Sequence, residues 1–237
     1  PAAASRTLVV AGCMAQRMGE DLLKQFPAVD LVVGPDRVVD LPELLAEMRT
    51  RGRFVATERT DMVTGDLKVA PTRRKETLTA YVTVMTGCDH ACTFCIVPLV
   101  RGPEKGRPIA DVVRDVSVQV DLGVREVTLL GQNVDHYLDP ATGEDFADLL
   151  AAVDAVPGLW RARFTTSNPR DMSDRVLEAV RDLPRVCEHL HLPVQSGSDA
   201  VLRRRGRGYT TGDYRALIAR ARDIVPDAAL TTDLIVG

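Results

Sequence analysis

Short apolar runs alternate with helix-period stretches along most of the chain. TLVVAG (7–12) reads as a buried strand and RMGEDLLKQF (17–26) as a helix, and VDLVVG (29–34) and VDLPELLAEMR (39–49) repeat the pair. Apolar runs of strand length followed by amphipathic segments predict a small parallel α/β unit over residues 1–50. Two strands are few for a sheet, so part of that unit is expected upstream. Residues 51–78 carry charged, Pro- and Gly-bearing sequence without a sustained period and read as a linker.

From residue 79 the alternation becomes regular. AYVTVMTG (80–87), REVTLLGQ (125–132), RARFTTSN (161–168), HLHLPVQS (189–196) and AALTTDLIVG (228–237) read as five strands. Between them, 108–123, 145–156, 173–183, 198–204 and 211–225 read as helices, with Ser173 as an N-cap. Helices separating strands imply right-handed βα units and a parallel sheet. The strand faces are unequal: His189, His191 and Gln195 share one side, Leu190, Leu192 and Val194 the other. Arg163, Thr165 and Ser167 likewise oppose Ala162 and Phe164. A parallel sheet has helices over its faces, so a polar face points to a barrel with a polar interior. Five units fall short of a closed eight-stranded barrel. The predicted fold is therefore α/β: a partial (βα) barrel over 79–237, preceded by part of a small parallel α/β domain.

Composition narrows the class. The 237 residues are 45% hydrophobic and 27% charged, as in a globular protein. No apolar run is long enough to span a membrane, and a cytoplasmic monomer is expected. The formal charge of −3 excludes a polycation, so nucleic-acid contacts must be local. TRRK (72–75) and RRRGR (203–207) are the candidates, although each alone also reads as a solvated face. The chain opens without Met and closes on an apolar run, and a piece of a longer protein is expected.

Cys13, Cys88, Cys92, Cys95 and Cys187 are odd in number, and three stand within eight residues. That argues for thiolate–metal chemistry in a reducing compartment. Cys88, Cys92 and Cys95 form C-x₃-C-x₂-C directly after the first barrel strand, on the rim where βα loops build sites. Three thiolates on a short loop can hold a [4Fe–4S] cube with one iron lacking a protein ligand. The alternatives are a zinc site with a distant fourth ligand and a fully coordinated electron-transfer cluster. Each wants a fourth ligand, and no further cysteine follows Cys95 for ninety residues.

GCDHACTFCIVPLVRG (87–102) resembles the cluster loop of radical S-adenosylmethionine methylthiotransferases. LLGQNVDHY (129–137), HLPVQSGSDAVLRRRGRGYT (191–210) and TTDLIVG (231–237) resemble later strand motifs of that family. AGCMAQ (11–16) resembles the last cysteine motif of its amino-terminal domain. The Gln-Asn of GQNV and the Ser-Gly of VQSGS are similar to the branch that makes 2-methylthio-N6-isopentenyladenosine at position 37, next to the anticodon of tRNA. The branches acting on threonylcarbamoyladenosine and on a ribosomal-protein aspartate stay as alternatives, the first being the nearer.

The resemblance implies that Cys88, Cys92 and Cys95 hold the cluster whose open iron binds S-adenosylmethionine. An external electron donor would reduce it, releasing a 5′-deoxyadenosyl radical that takes hydrogen from adenine C2. A second [4Fe–4S] cluster would supply sulfur, with Cys13 as one ligand and its partners expected upstream; a buried hydrophobe is the plain reading of a lone cysteine. Cys187 reads as packing. Phe94, between two cluster ligands, could cover cluster or cofactor. Gly131, Gln132 and Asn133, Ser167 and Asn168, and Gln195 and Ser196 sit at strand carboxyl ends, where cofactor or substrate would pass. His189 and His191 need no role beyond lining a polar interior. The tRNA anticodon stem-loop and S-adenosylmethionine are the implied partners. Without the family's carboxy-terminal RNA-gripping domain, Arg203, Arg204, Arg205 and Arg207 would be the main RNA patch. Weak RNA binding and incomplete activity are expected of this chain alone.

Overall fold

A computed structural model of the chain describes residues 6–60 and 78–236. The first unit is a three-stranded parallel sheet in the order β1 (Val9–Ala11), β2 (Leu31–Val33), β3 (Phe54–Ala56). Gly19 divides the first predicted helix into α1 (Cys13–Met18) and α2 (Glu20–Gln25). A 3-10 turn at Pro35–Asp40 leads into α3 (Leu41–Arg51). Leu31, Val33, Leu44, Phe54 and Ala56 form one small core, and Ala15, Leu22, Val29 and Val32 another on the opposite face. The strand β3 corrects the reading of 51–78 as linker throughout. Phe54 and Ala56 fill the core of this unit, and the charged flanks Arg51, Arg53, Glu58 and Arg59 hide so short an apolar run. Residues 61–77, including TRRK, lie outside the described residues.

The second unit holds five parallel strands. β4 (Thr79–Thr83) pairs in register with β7 (Glu126–Leu130), and β7 with β8 (Arg161–Phe164). β8 reaches the next strand through an Ala162–Val186 bridge, and β9 (His189–His191) pairs with β10 (Ala229–Thr231). Sequential, parallel neighbours joined by helices make the partial barrel that the sequence predicts. After β4, β5 (Met85–Thr86) pairs antiparallel with β6 (Lys105–Gly106), which no sequence pattern signals. A short helix, α4 (Val97–Val100), sits inside that excursion.

Outer-face strand residues meet the helices. Val127, Leu129, Ala162, Leu190 and Leu192 are fully buried against α5 (Ile109–Asp121), α6 (Phe146–Asp154), α7 (Asp174–Asp182) and α9 (Thr211–Ile224). Ser173 caps α7 as expected, its Oγ accepting from Val176 N, and Thr210 and Asp213 form a capping box on α9. Between β9 and α9 lies α8 (Asp199–Arg204). The inner face is polar: Arg163 Nε donates to Glu126 at 3.2 Å, and His191 Nδ1 pairs with Thr231 Oγ1 at 2.9 Å. Among the described residues no helix is long and apolar enough to cross a membrane.

Candidate functional site

The loop after β5 carries Cys88, Cys92 and Cys95, and glycine lets it turn there. Gly87 has φ of 83°, and a Cβ on it would stand 1.9 Å from the Pro103 carbonyl oxygen. Its N–H donates to Gln132 Oε1 at 2.6 Å, and Cys88 N donates to Gly102 O at 3.2 Å. The middle of the loop is tied to the end of α8. Thr93 N donates to Arg205 O at 3.1 Å and Thr93 Oγ1 to Arg204 O at 3.1 Å. Gly206, with φ of 66°, lets the two segments approach, since a Cβ would meet Ala91 O at 2.8 Å.

The three half-buried thiols line one cavity of about 190 Å³ at the carboxyl ends of the strands. Phe94, Gln132, Asn133, Ser167, Asn168 and Gln195 line it too, so the structure gathers six of the eight predicted cofactor positions around the three cysteines. Gly131 and Ser196 lie outside the lining. Gly131 admits the Met85 side chain, which a Cβ would meet at 2.5 Å, and Ser196 Oγ accepts from Ser198 N within a turn. Cys13 stands apart at the start of α1, its Sγ accepting from Arg101 Nε at 3.3 Å. Cys187 does not line the cavity.

Three atoms of the lining lack partners among the described residues. Asn133 Oδ1, Ser167 Oγ and Gln195 Oε1 are buried without a hydrogen-bond partner among the described residues. Leaving one such atom unmade costs about 1–3 kcal/mol, so three at one cavity mark a place where a ligand completes them. Two lining residues also hold strained backbone: Thr166 at φ 70° and Gln195 at φ 66° are the non-glycine residues with positive φ among the described ones. Strain of this kind collects at ligand sites.

Around this core runs a polar network that sequence reading missed. His90 Nε2 meets Asp171 Oδ2 at 2.5 Å, and Asn133 Nδ2 donates to the same oxygen at 2.8 Å. Beyond it, Glu104 Oε2 meets His136 Nδ1 at 2.5 Å, a bond that raises the His136 pKa. Below the rim, buried Asp135 accepts from Asn168 N through both oxygens, at 3.1 and 3.2 Å. His90 sits inside the cysteine motif and was findable there, whereas nothing local singles out Asp171 or Glu104.

The arginine run needs correction. Arg203 and Arg204 are exposed, and Arg205 lies over the Phe94 ring with Cζ 5.4 Å from its centroid. Arg207 is buried and turns into the cavity, where Nη1 donates to Cys92 Sγ at 3.3 Å. It is therefore no phosphate contact, and the patch expected for RNA shrinks to its exposed members.

A thiolate-held cube fits these residues. Burial pushes the Cys88 thiol up to about 11, against the His90 backbone N–H, and a bound metal would favour its thiolate. Among the described residues no three His, Cys, Asp or Glu side chains converge as on a single metal ion. Thiolates that each hold a different corner of a cube stand further apart than the ligands of one ion. The unpartnered acceptors leave room for a second, polar ligand beside the cube.

The chain is similar to known proteins. The chain is 44% identical over 227 residues to a tRNA-2-methylthio-N(6)-dimethylallyladenosine synthase of Dictyoglomus thermophilum, covering 95% of this chain and 51% of that protein. It is 48% identical over 231 residues to the synthase of the same name from Anaeromyxobacter sp., covering 97% and 49%. The chain thus spans about half the length of the curated relatives it matches. Among solved structures it resembles the radical S-adenosylmethionine methyltransferase TsrM from Kitasatospora setae, with a TM-score of 0.67, 16% identity, and coverage of 98% of this chain and 51% of that one. The radical enzyme OxsB gives a TM-score of 0.66 at 11% identity, covering 96% and 36%. At such identities the likeness concerns the fold alone. Residues 82–237 match the radical SAM superfamily across the strands and cysteine loop described above, and the chain belongs to that superfamily.

Proposed function

We propose that this chain is the radical-generating half of a methylthiotransferase acting on tRNA. One observation carries the reading: three thiols share a cavity with three unpartnered polar atoms at the carboxyl ends of parallel strands. Cys88, Cys92 and Cys95 would hold a [4Fe–4S] cluster with one iron free of protein ligands. Bound there with S-adenosylmethionine and reduced by an external donor, the cluster supplies a 5′-deoxyadenosyl radical. The residues of the chain bind, orient and exclude water. Asn133 Oδ1, Ser167 Oγ and Gln195 Oε1 offer acceptors for the amine and hydroxyl donors of the cofactor. Phe94, 52% exposed at the mouth, offers a ring to cover it.

The names of the relatives support a tRNA adenosine as the substrate. The acceptor is N6-isopentenyladenosine at position 37 of tRNA, which gains a methylthio group at C2. Cys13 serves a second cluster that donates sulfur. The protein works as a cytoplasmic monomer, with the anticodon stem-loop as its macromolecular partner. The boundaries of its units are 1–50 and 79–237, with β3 joined to the first.

The test is nucleoside mass spectrometry of tRNA from a host lacking its own enzyme, supplied with the chain extended to the length of its relatives. The expected product is 2-methylthio-N6-isopentenyladenosine. Methylthiolated threonylcarbamoyladenosine, or a methylthiolated ribosomal protein with unmodified tRNA, would replace the substrate and keep the chemistry. Zinc in place of iron and sulfide in the purified protein would overturn the chemistry itself.

A further inference from the structure

Two arginines of the barrel unit are almost wholly buried, and they are partnered differently. Arg107, 3% exposed, donates from Nη2 to Asp115 Oδ2 at 2.7 Å and from Nη1 to the Thr83 carbonyl. Its charge is met by a carboxylate, and it locks β4 to α5. Arg207, 8% exposed, has no such partner among the described residues. Its Nε donates to Tyr209 Oη at 3.2 Å, its Nη2 to Asn168 Oδ1 at 3.4 Å, and its Nη1 to Cys92 Sγ at 3.3 Å. A buried guanidinium without a counter-charge is costly, and a guanidinium does not shed its proton to escape that cost. Of the groups beside it, the Cys92 sulfur is the one that a bound cluster would hold as an anion.

We propose that Arg207 tunes the reduction potential of the cluster held at Cys92, by donating to that sulfur and placing a buried positive charge beside it. This rests on the cluster reading above. Reduction adds one electron, delivered by an external reductant, and makes the cluster more negative. A fixed cation and an N–H···S bond stabilise the reduced form more than the oxidised one, so they raise the potential. The site is built for fixity. Tyr209 shares its one hydroxyl proton in a bifurcated bond to the carbonyls of Pro193 and Val194, both at 3.1 Å, and the Asn168 backbone N–H donates to Asp135. Each neighbour of the guanidinium is itself anchored, which keeps Nη1 aimed at the sulfur. Low dielectric around the pair strengthens the effect.

The experiment is a redox titration of the anaerobically reconstituted chain, followed by paramagnetic resonance without S-adenosylmethionine. It compares the unaltered chain with Arg207→Gln, which removes the charge, and Arg207→Lys, which keeps it. The glutamine variant is expected to shift the equilibrium against reduction by at least about tenfold, about 59 mV for one electron. The lysine variant should fall between. Equal potentials in all three, with iron content unchanged, would overturn the proposal and leave the cluster reading standing. So would an unchanged potential with weakened S-adenosylmethionine binding, which would assign the guanidinium to the cofactor. Loss of the cluster from both variants would assign Arg207 to assembly and overturn tuning. Failure of the unaltered chain to hold a cluster would remove the cluster reading and this proposal together.

Discussion

The barrel strands carry two regions with opposite habits. On their outer face, Val127, Leu129, Ala162, Leu190 and Leu192 are fully buried against helices, and every demand they make is met by apolar neighbours. At their carboxyl ends, a few residues further on, Asn133, Ser167 and Gln195 bury polar atoms without partners among the described residues, and Thr166 and Gln195 hold strained backbone. The first region stabilises the fold, and the second spends part of that stability on holding groups ready for a ligand. The difference separates residues whose loss unfolds the chain from residues whose loss leaves a folded, inert one.

That separation is sharpest at the cysteines. Replacing any one of Cys88, Cys92 or Cys95 with Ala should abolish 5′-deoxyadenosine formation by the reconstituted chain while far-UV circular dichroism stays unchanged. Deoxyadenosine at the unaltered level, quantified by liquid chromatography, would remove that residue from the site. The opposite behaviour is expected on the outer face. Leu190→Ala deletes a fully buried side chain and should cost about 2–5 kcal/mol in denaturant unfolding. A loss below about 0.5 kcal/mol would mean that the core tolerates the cavity and that the division into two regions is drawn wrongly.

Asp135 sits between the regions, buried beneath the rim. Burial pushes its carboxyl up to about 8, against the backbone N–H groups of Asn168 and of Asp135 itself, and repulsion from Asp171 adds to the rise. The folded chain therefore holds this proton more tightly than the unfolded chain, whose carboxyl titrates near 3.8. Its contribution to stability is fully present below that value and is lost as pH climbs to about 8. The slope should reach at most about 1.4 kcal/mol per pH unit. Asp135→Asn should flatten it, as read by denaturant unfolding at a series of pH values. An identical slope in the variant would show that Asp135 does not titrate in this window.

Most of the architecture was legible because period and length coincide in it. The runs around the five barrel strands and their helices show alternation or a 3.6 period even where the paired strand, as in β9 and β10, is three residues long, and the helix cap at Ser173 is a local signal. The misses are short or non-local. β3, β5, β6 and α4 run two to four residues and exist because of what they pair or pack with. The site was legible where chemistry is written locally, in the cysteine spacing and at strand ends. Arg207 was not, because in RRRGR nothing local distinguishes the arginine that turns inward from those facing water. Its burial follows from the close approach of Gly206 to the cysteine loop, a contact across more than a hundred residues.

The rim as a ligand site is tested most directly by one spectrum taken twice. The chain, reconstituted anaerobically and reduced, should hold about four irons, because Cys13 is the one cysteine among residues 1–50 and a single thiolate cannot keep another cube. Saturating S-adenosylmethionine should then change the paramagnetic resonance spectrum of that cluster, since it would bind the iron that Cys88, Cys92 and Cys95 leave open. A spectrum unchanged at saturation would contradict the open site, and iron near eight per chain would contradict the account of Cys13.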